Sequence, residues 1–115
     1  MPVLNEQKTN QKTTAMLTKL MDDLGWSVSR VGTIIGVYPG VIDSWLKRGA
    51  VPHDNENLNK LFTIHHKLSR KYRPSEMVDF FKRFNLGTNC SYMMLMYDED
   101  GLDDMVAIVS REVLW

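Results

Sequence analysis

The chain has 115 residues, one domain's worth, and its 14 Lys and Arg balance its 14 Asp and Glu to a formal charge of zero. At 43% hydrophobic and 24% charged it is an ordinary globular mixture, neither disordered nor fibrous, and the lone Cys90 excludes an intrachain disulfide and a cysteine-rich zinc site. The zero hides a division: through Arg73 eleven basic residues face six acidic ones, and from Pro74 onward three face eight, so a part at +5 precedes a part at −5.

Residues 1–13 carry Asn, Gln, Lys and Thr with almost nothing to bury, and are expected as a flexible arm. No apolar run approaches the roughly 18 residues of a membrane span, and the polar start lacks the apolar stretch of a signal peptide, so a cytoplasmic protein is expected. A first helix should begin near Thr14, with Met16, Leu17, Leu20, Met21 and Leu24 at helical spacing and Gly25 as its cap. Trp26 then leads into Ser27, an N-cap for a short second helix holding Val28, Val31, Ile34 and Ile35 and stopped by Gly36. Pro39 suits the first position of a third helix, with Val41, Ile42, Trp45 and Leu46 as its apolar members and Gly49 past its end.

Pro52, with Asp54 as cap, opens a longer helix in which Leu58, Leu61, Phe62, His65 and Leu68 share a face before it fades near Tyr72. Pro74 and Ser75 start another, bearing Met77, Phe80, Phe81 and Phe84, and residues 85–89 read as a loop around Gly87. Beyond the loop two readings stay open. Residues 92–97 and 105–109 are short apolar runs flanking Asp98, Glu99, Asp100 and Gly101, as in a hairpin, yet Leu102, Met105, Val106, Val109 and Val113 also keep helical spacing. The hairpin is preferred. The organisation expected is an arm (1–13), a helical domain (14–73) and an acidic segment (74–115).

Function is concentrated in VSRVGTIIGVYPGVIDSWLKRGAVP, residues 28–52. In a helix-turn-helix two short helices cross steeply, which demands a small residue at closest approach, supplied by Gly32. The turn needs a positive backbone angle, supplied by Gly36. Val31, Ile35, Val37, Ile42 and Trp45 then stand where the motif requires apolar residues facing the core. The run WLKRGAVP, Trp45 to Pro52, resembles the W-x-x-R-G-x-x-P run closing the recognition helix of phage repressors, and residues 15–68 resemble the helix-turn-helix domain of the bacteriophage CI repressors, within the Cro and lambda-repressor-like group. The resemblance, which does not extend to the C-terminal third, implies a compact bundle of four to five helices that binds double-stranded operator DNA as a homodimer with helix three in the major groove. The expected fold is mainly α, this bundle followed by a short C-terminal extension.

Carried over by position, the resemblance assigns base reading to Tyr38, Asp43, Ser44 and Lys47, beside Pro39 and Gly40, which offer no side-chain hydrogen bonds. Ser27, Arg30, Arg48 and Lys60 are suited to phosphates, as is Lys47, and Lys8 and Lys12 of the arm could reach along the duplex. The set departs from the Gln, Ser, Asn and Arg usual at reading positions, and Asp43 brings a negative charge towards phosphates. Near the C-terminus Met93, Met94, Met96, Met105 and Trp115 concentrate polarizable and aromatic side chains, expected as a dimer interface.

Other chemistries find little footing. His53, His65 and His66 do not share a face, and the acidic run from Asp98 has Val109 where a calcium loop needs its bidentate acid, so no metal or cofactor is expected. No nucleophile, base and orienter assemble, and no glycine-rich phosphate loop is present, so no enzyme is expected. The sequence points to a DNA-binding transcriptional regulator, a repressor of phage or mobile-element type. The competing expectation is a protein-interaction module, such as an antirepressor or antiactivator, that uses the bundle or the acidic tail.

Overall fold

The computed structural model describes residues 2–85, 87 and 89–113, residues 2–10 by their backbone only. The protein is mainly helical. Its helices are α1 (Pro2–Leu24), α2 (Val28–Ile35), α3 (Pro39–Arg48), α4 (Glu56–Ser69), α5 (Pro74–Lys82), α6 (Tyr92–Leu95) and α7 (Gly101–Glu112), with a two-stranded antiparallel sheet of β1 (Phe84–Asn85) and β2 (Cys90–Ser91) between α5 and α6. The chain divides within α4 into two compact units, Met1–Asn59 and Lys60–Trp115.

In the first unit, α1 starts at Pro2 instead of near Thr14, so the segment expected as an arm forms its opening turns. Gln, Glu and Lys are good helix formers, and Pro at the first helical position lacks only a donor that would have no partner there. Leu17, Leu20 and Leu24 are buried, and Trp26 is buried just past the helix end. Ser27 caps α2, its Oγ accepting from the Arg30 amide at 3.2 Å. α2 ends as expected in a left-handed Gly36 (φ 76°), whose amide and that of Val37 both donate to the Gly32 carbonyl, at 2.8 and 2.9 Å.

Two side-chain bonds fix this unit's loops. The Val51 amide donates to Thr14 Oγ1 at 3.2 Å, and Asn57 Nδ2 donates to the Ile35 carbonyl at 3.3 Å, satisfying an acceptor that the end of α2 leaves open. The cap of α4 is Asn55 and not Asp54, its Oδ1 accepting from the Leu58 amide at 2.9 Å.

In the second unit, Glu76 reaches back to accept from the Arg73 amide at 2.9 Å, fixing the start of α5. Met77, Phe80 and Phe81 are buried, and the Phe80 ring lies 5.0 Å from that of Tyr92. The hairpin falls earlier than expected: Phe84 pairs with Ser91 and Asn85 with Cys90, across the loop predicted at 85–89. Residues 92–97 and 105–109, preferred as strands, instead lie in or beside α6 and within α7.

Three local features account for that difference. Ser91 caps α6, its Oγ accepting from the Met94 amide at 3.2 Å. Asp103 and Asp104 lie in the first turn of α7, where acids favour the helix dipole. Gly101 lets the chain fold back on itself: a Cβ there would run into the Leu95 carbonyl oxygen and stand 2.7 Å from its carbon and 3.0 Å from Met96 Cα.

The end of α7 is tied down by charge. The Tyr72 hydroxyl and Arg83 Nη1 both donate to Glu112 Oε1, the latter at 3.1 Å, while Lys71 Nζ donates to the Glu112 backbone carbonyl at 2.9 Å. These bonds, the Tyr72 hydroxyl first, hold the Glu112 carboxyl below the usual glutamate value.

Candidate nucleic-acid interface

The α2–α3 corner has helix-turn-helix sterics. A Cβ on Gly32 would collide with the Val37 carbonyl oxygen and lie 3.4 Å from Ile42 Cδ1 and 3.5 Å from the Pro39 nitrogen. The need for a small residue therefore comes from the turn backbone as much as from the crossing helix. Of the five positions expected to face the core, Val31, Ile35 and Ile42 are buried, while Val37 and Trp45 are only half-buried. Ile42 is the one fully buried residue of α3, with Trp45 and Leu46 half-buried beside it, and Val41, Lys47 and Arg48 are exposed.

Of the base-reading set, Tyr38 is 83% exposed at the N-cap of α3, and Ser44 is half-buried one helical turn from Gly40. Asp43 and Lys47 are joined to each other, Lys47 Nζ lying 2.9 Å from Asp43 Oδ2. This i, i+4 pair is the arrangement that favours an acid before a base on a helix, and it neutralises the lysine offered for guanine or phosphate. Val41, expected as one of the apolar members of α3, is 41% exposed and joins Tyr38 on the outside. The signal that could have revealed it is its position directly before Ile42: on a helix, a preceding neighbour points about 100° away.

Among the phosphate candidates, Arg30 in the first turn of α2 and Arg48 at the end of α3 are exposed, and neither has an ion-pair partner among the described residues. Ser27 is exposed, its oxygen committed to capping and its hydroxyl hydrogen available to an acceptor. Lys12 is exposed on α1, whereas the side chain of Lys8 lies outside the described residues. Lys60 belongs to the second unit, where its Nζ pairs with Asp103 Oδ1 at 2.8 Å. A shallow groove of about 380 Å³, lined by Gly32, Thr33, Gly36, Val37, Tyr38 and Pro39, runs along the turn.

The charge division changes meaning on this structure. The +5 excess before Pro74 is carried by Lys60, Lys67, Arg70, Lys71 and Arg73, all in the second unit. The first unit has six basic and six acidic residues, and the second eight of each. Any attraction of the α2–α3 corner for an anion is therefore local, through Arg30 and Arg48, and does not come from a net positive unit.

The expected dimer residues separate in the same way. Met96 is 1% exposed and Met105 fully buried, so both are core and not interface. Methionine's flexible thioether fills irregular gaps, which makes core and contact surface indistinguishable by composition. Met93 is half-buried, Met94 is 57% exposed, and Phe84, absent from the expectation, is 55% exposed. Trp115 lies outside the described residues.

Among the described residues no group of three His, Cys, Asp or Glu could hold a metal ion, and no helix is long and apolar enough to cross a membrane. No protein-family model and no curated protein matches the chain.

Proposed function

We propose that this protein is a sequence-specific DNA-binding transcriptional regulator, of the kind found as repressors in phages and mobile elements, which docks α3 in the major groove as a homodimer. The observation that carries the reading is the α2–α3 corner: Gly32 against the Val37 carbonyl, a left-handed Gly36, and a third helix that buries Ile42 and exposes Pro39, Gly40, Val41, Lys47 and Arg48. Arg30 and Arg48 supply phosphate contacts, and the unpaired amides at the start of α2 add a further anion grip. Two such cations make a weak half-site at physiological salt, so a second protomer on a pseudo-palindromic site is needed for useful affinity. Promoter occlusion then gives repression.

The test is capture of DNA fragments from the native locus by the full chain. One enriched segment containing inverted half-sites, lost in Arg30→Ala/Arg48→Ala, is expected. No retention of any fragment at low salt would overturn the reading.

A second reading, a protein-interaction module such as an antirepressor, is favoured by two specific observations. The first unit has no net charge, and its reading helix ties up Lys47 with Asp43. It predicts a stoichiometric protein partner, retained without DNA, whose binding survives Arg30→Ala/Arg48→Ala.

A further inference from the structure

The outer surface at the start of α3 is apolar where a reading helix is ordinarily polar. Tyr38, at the N-cap of α3, and Val41, in its first turn, are both exposed, at 83% and 41%. Pro39 and Gly40 are exposed too and have no side-chain hydrogen-bonding group. A Cβ at Gly40 would meet nothing within 4 Å, so packing inside the unit does not demand glycine there. Its consequence is a bare backbone beside two projecting apolar side chains. Farther along the helix the polar side chains Asp43 and Lys47 pair with each other at 2.9 Å on the exposed surface.

Resting on the DNA-binding reading above, we propose that this surface reads thymine through its C5-methyl group. In the major groove that methyl is the apolar feature by which a base pair is distinguished, and apolar side chains are its natural partners. Tyr38 and Val41 form the apolar contact, and Gly40 lets the base edge come close to the helix backbone. Arg30 and Arg48 hold the flanking phosphates without contributing to the choice of base. Val41 is thus a specificity-determining residue, and the preferred half-site is defined by thymine methyls more than by bidentate contacts to guanine or adenine.

The experiment is selection from a random duplex pool with the full chain, followed by replacement of each fixed thymine with uracil, which removes the methyl and leaves the pairing edge unchanged. Enriched half-sites are expected to hold thymine at one or more fixed positions, and each critical methyl removed should weaken binding about fourfold, the effect of one buried carbon group. Val41→Ala and Tyr38→Ala lie on the surface and should fold normally by circular dichroism, and at least one should bind thymine and uracil duplexes equally. Enriched sites bound equally well with uracil, or full discrimination kept by both variants, overturn the inference while leaving DNA binding intact. A pool with no enrichment and no retention at low salt overturns both, and leaves the apolar surface to a protein partner.

Discussion

The α2–α3 and α6–α7 corners meet one steric problem in the same way and put the result to different uses. In each, a glycine removes a Cβ that would strike a backbone carbonyl, Gly32 against Val37 and Gly101 against Leu95. The helices that follow then diverge. α3 fully buries only Ile42, with Trp45 and Leu46 half-buried, whereas α7 buries Gly101, Leu102, Met105 and Val109. A helix with a narrow buried stripe leaves more of its surface exposed, and a helix with a full stripe builds the core. The difference separates the part of the chain suited to recognition from the part that gives its unit stability.

The largest test of that contrast is Gly101→Ala. The obstructing atoms belong to the backbone of Leu95 and Met96, so relief requires the α6–α7 corner to open, and a loss of about 3 kcal/mol or more is expected in urea unfolding. Gly32→Ala meets one carbonyl oxygen and should cost about 1–3 kcal/mol. Gly40→Ala, with open space around it, should be neutral or stabilising by up to about 1 kcal/mol.

Next in size is the pair of methionines. Met105→Ala should cost about 2–5 kcal/mol as a core truncation, and Met94→Ala less than about 0.5 kcal/mol, measured on the same unfolding curves at low protein concentration. A Met94 effect that grows with concentration would instead identify Met94 as part of a self-association surface, and sedimentation of the Met94→Ala and Phe84→Ala proteins checks this directly.

A smaller effect is expected at Glu112, whose partly exposed carboxylate limits its contribution to about 1 kcal/mol. Its pKa is lowered on folding, chiefly by the Tyr72 hydroxyl bond, so the stabilisation is fully present above the ordinary glutamate value of 4.5 and is lost as pH falls through the depressed folded value. Glu112→Gln should therefore flatten the stability profile below pH 4.5 and lower the plateau above it, and Tyr72→Phe should reproduce part of that change.

The smallest stability change belongs to Asp43→Asn, within about 0.5 kcal/mol for a surface ion pair. Its informative readout is DNA affinity, which should rise as Lys47 is released, with a salt dependence steeper by about one ion per protomer.

Much of the first unit could be read from the sequence because its signals are local. Gly25, Gly36 and Gly49 take the left-handed conformation expected of helix ends, Ser27 caps α2, and Pro39 starts α3. What sequence could not supply was tertiary. Composition cannot tell Met105 in a core from Met94 on a surface, and an i, i+4 Asp43–Lys47 pair looks like two free charges until their side chains are seen to meet. Among the features that make residues 92–109 helical and not a hairpin, the close approach of Gly101 to Leu95 is invisible in a pattern of apolar residues. The charge division at Pro74 does not coincide with the boundary between the units, which falls inside α4, before the basic run that begins at Lys60.

The central claim, that the α2–α3 corner binds DNA through local cations on a neutral unit, is tested most directly by titrating the full chain against its best-bound duplex over a range of salt. A log–log slope of about −2 per bound protomer, the share of Arg30 and Arg48, falling towards zero in Arg30→Ala/Arg48→Ala, is the predicted result. Absence of binding at the lowest salt, or a slope unchanged by the double substitution, would contradict it.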